Sequence, residues 1–560
     1  MTTPPDATRP VESLAPASWL PMIIIMLAQA QMAFNVNALP VSVGAISEEF
    51  NTPATSVGTA LVIYSLFVAA FVLLGAKLGK LVGDRLVFQV TVLLHGAAMA
   101  LMALSGGVNA MNNAQAIAGL AAAALVPTLV VLIAANYKDR QQAQALGLLA
   151  GTPAIAGAAA FFLAGFLATA LSWRVSFGVL AVLSVVIFAL SFKLTSVPRQ
   201  TGIRVDLVGA VLAAIAVMGI SIGFNNLMNW GVLLASPDAP INLLGLSPAP
   251  FLILLGIVVG QAFFAWSRYR QEMGKSPLLS LAVLDSRFER AAIYCLLIIG
   301  ALGPAVNFLI PLYIQIVQGQ SSLFTAVAVV PYTLAIATSA IFIVRLYDRL
   351  SPRIIAVLGF ITVAVGLGML ALTIRNEWGT PLVILSLVVT GLGEGSLLTL
   401  MFNVLVAASP KELAGDVGAL RGVVNNLSTA LGTAFASLAA VTLLTLFITS
   451  SLVGNPTIPP ALKAEVALDN INFVSNDHLV ESLAGASATP AQVAEAVLIN
   501  TASRLRALKA AFLILAGIAA LAIIPALGLP NARAGAPEPP PEPVVNRGKR
   551  SAKRAAPAGS

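Results

Sequence analysis

Long runs of apolar residues follow one another along most of the chain, and short polar stretches separate them. A helix that crosses the hydrocarbon core of a bilayer needs about 20 mostly apolar residues. The pattern predicts fourteen such spans, at residues 18–45, 55–78, 86–106, 111–136, 142–170, 174–195, 206–229, 249–268, 289–317, 322–346, 353–374, 380–408, 414–450 and 504–529. The run at 414–450 exceeds one simple span, so we expect that helix to tilt or to continue beyond the lipid.

The composition agrees with an all-α polytopic membrane protein and argues against metal, cofactor and nucleotide-binding sites. Hydrophobic residues make up 58% of the chain and charged residues 10%, more apolar surface than a soluble fold of this length can cover. Cys295 is the single cysteine, and His95 and His478 lack the spacing of a metal site. The stretch "GLGEG" is not followed by Lys and Ser or Thr, as a phosphate-binding loop requires. We therefore expect no metal, no cofactor and no enzymatic activity.

Basic residues set the predicted orientation, because cytoplasmic loops of membrane proteins carry an excess of Lys and Arg. With the N-terminus in the cytoplasm, every Lys and Arg falls at or near a cytoplasmic end except Arg174, Arg375, Lys463, Arg504, Arg506 and Lys509. An even number of spans then places both termini in the cytoplasm, and we expect a bacterial plasma (inner) membrane. The net charge of +8 is explained by basic loops beside the lipid bilayer, so we expect no nucleic-acid partner.

A short internal repeat divides the chain. "KLGKLVGDR" (77–85) aligns with "RLYDRLSPR" (345–353), which sets Lys80 opposite Asp348. Each copy lies between the second and third spans of its half, as in transporters built from two related halves. We assign a cytoplasmic hinge or gate to eight residues of the two copies: Gly79, Lys80, Gly83, Asp84, Arg85, Asp348, Arg349 and Arg353.

The repeat and the spans together predict the organisation of the chain. The predicted parts are a cytoplasmic N-terminal tail (1–17), an N-terminal six-helix half (18–195), an inserted helix pair (206–268), a C-terminal six-helix half (289–530) with an extracytoplasmic loop (451–503), and a disordered, basic, Pro-rich cytoplasmic tail (531–560). Within the loop, Thr489 is expected to cap a helix that runs into the last span. The loop is either a lid over the outer mouth or a plain surface loop.

Five segments carry a resemblance to a known family. They are "NALPVSVGAISEEF" (37–50), "LSWRVSFGV" (171–179), "VDLVG" (205–209), "PLYIQIVQGQSSLFTAVAVVPYTL" (311–334) and "YDRLSPR" (347–353). In kind and order they resemble the major facilitator superfamily, and within it the fourteen-helix drug:proton antiporters, over residues 18–530. The resemblance implies alternating access between two halves, a small-molecule substrate, protons as a candidate coupling ion, and a monomer.

Several residues of that family's functional motifs are replaced by other residue types in this chain. Lys80 stands where the loop motif has Asp, and Asp84 stands where the motif continues with a basic residue. Gln31 takes the place of the Asp of the first helix, and Gln115 and Ala118 take the places of the Arg and Gln of the fourth. Lys80 suits the negative C-terminal end of its helix and Asp84 the positive N-terminal end of the next. We therefore expect that this hinge no longer forms the family's acidic latch.

Glu394 is the one acidic residue that falls in the middle of a predicted span. It lies about 21 Å from either end of the span 380–408 at 1.5 Å per residue. Ionisable groups at such depth are costly and mark ion or substrate pathways, so Glu394 is the candidate proton or cation site. The alternative interpretation is a protonated, purely structural Glu that is hydrogen-bonded to a neighbour. The resemblance does not supply this residue.

Neutral amides make up most of the other polar side chains within the spans. Each either lines a substrate path or joins neighbouring helices, a contact that contributes about 0.6–2 kcal/mol in membranes. The candidates for the path are Gln31, Asn35, Gln115, Asn307 and Asn403. The resemblance favours a path for Gln31, Gln115 and Asn307, because the family's cavity is lined from those helices. Arg421 is explained by snorkelling or by pairing with Asp416.

Three functions remain open at this point. The first is a secondary active transporter, an antiporter or multidrug type that exports a small amphiphilic or drug-like compound by alternating access, with or without proton coupling. The second is an uncoupled facilitator or lipid translocator of the same fold, which the replaced family residues favour. The third is a non-transporting membrane sensor or scaffold that uses the loop and the tail as contact surfaces.

Overall fold

The computed structural model describes residues 18–51, 54–196, 199, 205–237, 239–320, 322–377, 381–453, 455–458, 476–485 and 488–532. Both predicted tails, apart from Asn531 and Ala532, and much of the loop 451–503 lie outside these residues. The described part of the chain is a bundle of helices and their connections, as the apolar runs predict.

Fourteen helices form the body of the bundle. They are α1 Leu20–Val41, α2 Ala54–Val82, α3 Asp84–Ala103, α4 Val108–Asn136, α5 Asp139–Ala170, α6 Trp173–Ser191, α7 Leu207–Asn225, α8 Pro248–Glu272, α9 Arg287–Pro311, α10 Val330–Phe342, α11 Pro352–Thr373, α12 Pro381–Ala408, α13 Ala414–Leu452 and α14 Pro490–Leu521. Thirteen apolar helices of the described chain are long enough to cross a membrane, and the remaining one, Val330–Leu346, is shorter.

The tenth predicted span, 322–346, is broken rather than continuous. It consists of a short helix Ser322–Ala328, then α10, and then a 3₁₀ turn Ile343–Leu346. Pro331 occupies the second position of α10, where its missing N–H interrupts the hydrogen-bond ladder that would join the two helices. Apolar length alone gave no sign of this break.

Two helices of the C-terminal half are longer than one span. α13 has 39 residues, about 58 Å at 1.5 Å per residue, against a hydrocarbon core of about 30 Å. α14 begins at Pro490, well before the predicted span. The predicted cap is confirmed, because Thr489 and Gln492 form a reciprocal capping box. Both helices therefore project from the bundle toward the loop 451–503.

The same helix pairs pack in both halves. In the N-terminal half α1 packs on α5, α2 on α4, and α3 on α4 and α6; in the C-terminal half α9 packs on α13, α10 on α12, and α11 on α12 and α14. The contacts between the halves repeat as well, because α13 packs on α2 and α4 while α5 packs on α10 and α12. The fold is therefore two related six-helix units with an added helix pair, α7 and α8.

We call the end of the bundle that carries Gly79–Arg85 and Asp348–Arg353 the loop end. At the opposite end, Trp173 and Arg174 of the "WR" segment hold Glu49: the Trp173 Nε1–H donates to Oε2 at 2.6 Å and Arg174 Nη2 to Oε1 at 2.7 Å. These hydrogen bonds, that of Arg174 first, lower the pKa of Glu49 from its usual value. Arg174 also donates to the carbonyl oxygens of Ala103 and Ser105, so this segment ties three helix ends together.

Part of the predicted loop 451–503 packs against this opposite end. Its helix Asn476–Gly485 lies on α14, and Arg504 of α14 is 1% exposed. Arg504 donates to Asn476 Oδ1 at 2.8 Å and to the carbonyl oxygen of Ile316 at 3.0 Å. The described part of the loop is therefore anchored to the body of the protein, and its function as a lid stays a prediction.

The inserted pair α7 and α8 is joined by small residues. A methyl group added at Gly256 would lie 2.7 Å from the carbonyl oxygen of Ala216, and one at Gly219 would lie 2.9 Å from that of Leu252. Asp206 caps α7 and also accepts a hydrogen bond from Trp266 Nε1 at 3.0 Å. The other face of α8 is apolar and exposed, as expected of a helix that faces lipid.

This packing predicts different effects for two glycines of α8. Gly256→Ala inserts a methyl group against backbone and should lower stability by about 1–3 kcal/mol. Gly260→Ala is the matched control, because its methyl group would meet only the Ala216 Cβ at 3.8 Å. Thermal unfolding of the purified variants measures the difference. Equal midpoints for the two variants would contradict the close contact of α7 and α8.

Candidate functional site

Glu394 lies in the middle of α12 and faces the interior of the C-terminal half. It is 7% exposed. The Tyr332 hydroxyl of α10 donates a hydrogen bond of 2.5 Å to Glu394 Oε2. On the side of α9, Gly303 faces the carboxylate so closely that an added methyl group would overlap Oε1. Three helices therefore enclose this group.

Two glycines beside Glu394 bring the neighbouring helices close to it. A methyl group at Gly393 would lie 2.9 Å from the carbonyl oxygen of Gly359 in α11, and one at Gly395 would overlap the carbonyl oxygen of Ile336 in α10. The sequence "GLGEG" thus wedges α12 between α10 and α11. Its glycines serve close helix packing on both sides of Glu394.

Charge is the distinctive property of this position. Within the described residues, no Lys or Arg forms an ion pair with Glu394. An isolated charge in a low-dielectric interior is strongly unfavourable unless it is paired or neutralised. A proton or a bound cation would supply that neutralisation, so the geometry suits a group that gains and loses one positive charge.

The predicted path residues of the N-terminal half are paired with each other or with neighbours. Gln31 Nε2 lies 2.8 Å from His95 Nδ1 and donates to the Ser184 hydroxyl at 2.9 Å. Asn35 and Gln115 exchange two amide hydrogen bonds of 3.0 and 3.1 Å. All of these side chains are buried. In this conformation they join α1, α3, α4 and α6, and a part in the substrate path stays a prediction.

The two path candidates of the C-terminal half differ from each other. Asn403 is half-buried and donates to the carbonyl oxygen of Thr399 at 2.9 Å, within its own helix. Asn307 is exposed and lies one turn beyond Gly303, the residue that faces Glu394. Of the five candidates, Asn307 alone is exposed.

One face of α13 changes from packed to exposed along its length. Gly415, Gly418, Gly422, Asn425 and Thr429 follow at steps of three and four, so they share that face. Near the loop end, methyl groups at Gly418 and Gly422 would lie 3.0 Å from Pro127 and 2.8 Å from Val72 of the other half. Asn425 and Thr429, further along, are exposed.

α5 shows the same change on the opposite side of the molecule. Methyl groups at Gly147 and Gly151 would lie 2.6 and 3.3 Å from carbonyl oxygens of α10. Ile155, Phe162 and Phe166 continue that face and are 45%, 43% and 66% exposed. The two halves therefore pack closely near the loop end, and beyond it α5 presents exposed apolar side chains while α13 presents exposed polar ones. We interpret these two faces as the walls of a cleft between the halves.

A buried cluster of charges joins the halves at the loop end. Asp416 of α13 is fully buried and accepts hydrogen bonds from Lys77 at 3.2 Å and from Lys80, both of α2. Asp416 also lies in the first turn of its helix, where the helix dipole favours a negative charge. Gly415 beside it lets α13 approach the Ala76 carbonyl oxygen.

This cluster corrects two expectations. Lys80 does not merely suit the end of its own helix; it crosses to the other half, so the hinge does have an acidic partner, supplied by α13. Arg421 does not pair with Asp416, because the two lysines occupy that carboxylate; its guanidinium lies 4.4 Å from the centre of the Phe402 ring instead. Asp84 is buried against Gly79.

The second copy of the repeat forms the related contact with opposite charges. Asp348 pairs with Arg140, at the start of α5, at 3.1 Å. Lys80 and Asp348 are equivalent in the repeat, and Asp416 and Arg140 both begin the fifth helix of their half. The charge order is therefore inverted between the two copies. The Asp348 pair is more than half exposed, whereas the Asp416 carboxylate is fully buried.

The other hinge residues hold the backbone of the loop end. Gly83 has φ = +99°, a conformation that favours glycine, and it separates α2 from α3. Arg85 Nη2 donates to the carbonyl oxygen of Phe192 at 2.9 Å. Arg353 Nε donates to that of Leu529 at 3.1 Å, and Arg349 is exposed.

Comparison with known proteins agrees with this architecture. The sequence pattern of the Major Facilitator Superfamily matches residues 25–433. The chain belongs to the Major Facilitator Superfamily. It is therefore a multi-pass membrane protein of a transporter family, and the family resemblance of the sequence is confirmed.

Individual relatives of this Major Facilitator Superfamily member are named for drug resistance. The puromycin resistance protein pur8 of Streptomyces alboniger is 28% identical over 444 residues, which cover 76% of this chain and 83% of pur8. The multidrug efflux pump LfrA of Mycolicibacterium smegmatis is 26% identical over 515 residues, 91% of this chain and 94% of LfrA. The structure of the proton:xylose symporter XylE matches with a TM-score of 0.55 at 12% identity, over 90% of this chain and 94% of XylE; this likeness concerns the fold.

Three partners in these sites were not singled out from the sequence: Tyr332, Lys77 and Arg140. A tyrosine inside an apolar helix needs a hydrogen-bond partner for its hydroxyl. The position of Tyr332 in an apolar run therefore indicated a buried polar contact. Lys77 and Arg140 lie at helix ends among many other basic residues, and only the tertiary structure shows which of them meet an acid.

The buried cluster predicts unequal effects for two acidic residues of this Major Facilitator Superfamily member. Asp416→Asn leaves Lys77 and Lys80 buried without a carboxylate, and loss of one partner of a buried pair costs about 3–5 kcal/mol. Asp348→Asn is the matched control, since exposed pairs contribute at most about 1 kcal/mol. Thermal unfolding in detergent compares the two. A midpoint for Asp416→Asn that equals that of Asp348→Asn would contradict a structural role for the buried cluster.

Proposed function

We propose that this transporter exports small amphiphilic, drug-like compounds across the bacterial plasma membrane, with both termini in the cytoplasm. The cleft carries the proposal. Ile155, Phe162 and Phe166 offer an apolar wall, and Asn425 and Thr429 offer a polar one. A substrate with an apolar body and a polar end matches both walls. The names of the relatives pur8 and LfrA support the same class of substrate.

We further propose that Glu394 is the group that exchanges a proton or another cation for the substrate. It is buried and lacks a basic partner within the described residues, and Gly303 of α9, which faces it, lies one helical turn before the exposed Asn307. A carboxylate in such a place binds a proton and a cationic substrate in competition. The protein would then be an antiporter, and one chain would suffice, since it contains both halves and the cleft between them.

The state of the structure fits one stage of alternating access. The halves are packed at the loop end and separated beyond it, so the cleft opens away from the loops. With the loops in the cytoplasm, as the distribution of Lys and Arg indicates, this is the outward-facing state. The inward-facing state would require the Lys80 and Asp416 side chains to part.

An uncoupled facilitator is the second candidate, and a specific observation favours it. Gln31 stands where the resemblance expects an acid, and it belongs to a neutral network with His95 and Ser184. The N-terminal half therefore lacks the family's carboxylate on α1. Under this alternative Glu394 would remain protonated throughout and would serve only the contact with Tyr332.

Substitutions at Glu394 distinguish these functions. In the wild type, a cationic substrate such as ethidium should bind more weakly as the pH falls, because protons occupy the carboxylate. Glu394→Gln should remove that pH dependence and weaken binding about tenfold or more, since a charge-assisted contact contributes about 1.5–3 kcal/mol. Fluorescence polarisation of ethidium over a pH series measures both effects.

Two further variants complete the test. Tyr332→Phe removes one hydrogen bond and should give a smaller loss of affinity than Glu394→Gln. Glu412→Gln removes an exposed acid near the loop end and should leave binding unchanged. Unaltered affinity and pH dependence in Glu394→Gln would exclude the carboxylate from substrate exchange and favour the uncoupled alternative.

A further inference from the structure

A cavity of about 390 Å³ opens at the loop end, outside the cleft and the charged cluster. The end of α2, the first two turns of α3 and two residues after α6, Ser196 and Arg199, enclose it. Its lining residues are Val82, Gly83, Arg85, Leu86, Gln89, Ser196 and Arg199. The cavity shares Gly83 and Arg85 with the predicted hinge and lies outside the proposed transport path.

The polar groups of the cavity are mainly hydrogen-bond donors. Arg85 and Arg199 each bring a guanidinium group, and neither forms an ion pair within the described residues. The Gln89 amide nitrogen is shielded from solvent and has no hydrogen-bond partner there. No acidic residue is part of the lining, and the Asp84 carboxylate is turned toward Gly79. Such a set of donors is suited to an anion with several acceptor oxygens.

Two contacts with Phe192 orient the Arg85 side chain at the cavity. One of its terminal nitrogens, Nη2, donates to the carbonyl oxygen of Phe192, and its guanidinium lies 5.8 Å from the centre of the Phe192 ring. These two contacts fix the side chain at the rim of the cavity. Its other N–H groups are left for a ligand, and the rigid planar fork matches the oxygens of a phosphate group.

The apolar surface beside the cavity identifies the kind of ligand. Leu86 and Val90 of α3 lie four residues apart, are 51% and 55% exposed, and form an apolar ridge; Val82, the last residue of α2, is 50% exposed at the cavity. This ridge runs from the cavity along α3, a helix that spans the membrane. A free anion would not need it, whereas a phospholipid would set its headgroup in the cavity and its acyl chain along the ridge.

We propose that this cavity binds the headgroup of an anionic phospholipid. The phosphate is held by Arg85 and Arg199, the Gln89 amide donates to a headgroup oxygen, and the first acyl chain lies against Leu86 and Val90. The site lies on the lipid side of the first turns of α3, next to the hinge glycine Gly83. The bound lipid would therefore contact the same turn of chain that joins α2 to α3.

Native mass spectrometry of the full-length protein in detergent tests this site. Equal amounts of dioleoyl-phosphatidylglycerol and dioleoyl-phosphatidylcholine are added. The measured quantity is the ratio of protein with one bound phosphatidylglycerol to protein with one bound phosphatidylcholine. The wild type should prefer phosphatidylglycerol. Arg85→Gln and Arg199→Gln should each reduce that preference roughly fivefold, while Lys138→Gln, which removes an exposed charge at the same end, should leave it unchanged.

Two further arms complete the experiment. Gln89→Leu keeps both arginines and should still weaken the preference, which separates the loss of a donor from any misfolding that an arginine variant causes. Inorganic phosphate is added as a competitor and should not displace the lipid. Equal ratios in the wild type and both arginine variants would overturn the proposal. Displacement by inorganic phosphate would also overturn it and would assign the cavity to free phosphate.

Discussion

The contact of Asp416 with Lys77 and Lys80 joins the two halves at the loop end of this protein. It brings a negative charge from one half against two positive charges of the other, at a place where all three side chains are largely removed from water. Separation of the halves there would expose or isolate three charges at once. The glycines of α13 and α5 make this approach possible, and the cleft at the other end follows from it.

The cost of burying an unpaired charge also distinguishes the interiors of the two halves. In the N-terminal half, the side chains of Gln31, Asn35 and Gln115 are neutral and hydrogen-bonded, so they offer hydrogen bonds without a change of charge. In the C-terminal half, Glu394 meets a tyrosine hydroxyl and a glycine and has no basic partner within the described residues. The two halves share their helix packing but differ in chemistry. The buried carboxylate that has no basic partner within the described residues therefore lies on α12.

The sequence predicted the helices and their order well, because lipid imposes one simple condition on every span. Apolar length located α1 and α12 to within a few residues, and the repeat "KLGKLVGDR" located the turn between α2 and α3. The sequence did not predict the break in a helix or the partners of individual side chains. The break before α10 depends on Pro331, and the role of Lys80 depends on Asp416, which lies 336 residues away in the chain. Tyr332 and Glu394 were likewise far apart in sequence, so the depth of Glu394 was predictable and its partner was not.

The most direct test of proton-driven export uses the wild-type protein in liposomes with an acidic interior. Ethidium is a suitable probe because its charge is permanent, so a pH gradient alone does not trap it. An antiporter should accumulate ethidium inside while protons leave, and collapse of the gradient with nigericin should stop accumulation. Equal ethidium flux with and without the gradient would contradict proton coupling and leave an uncoupled transporter.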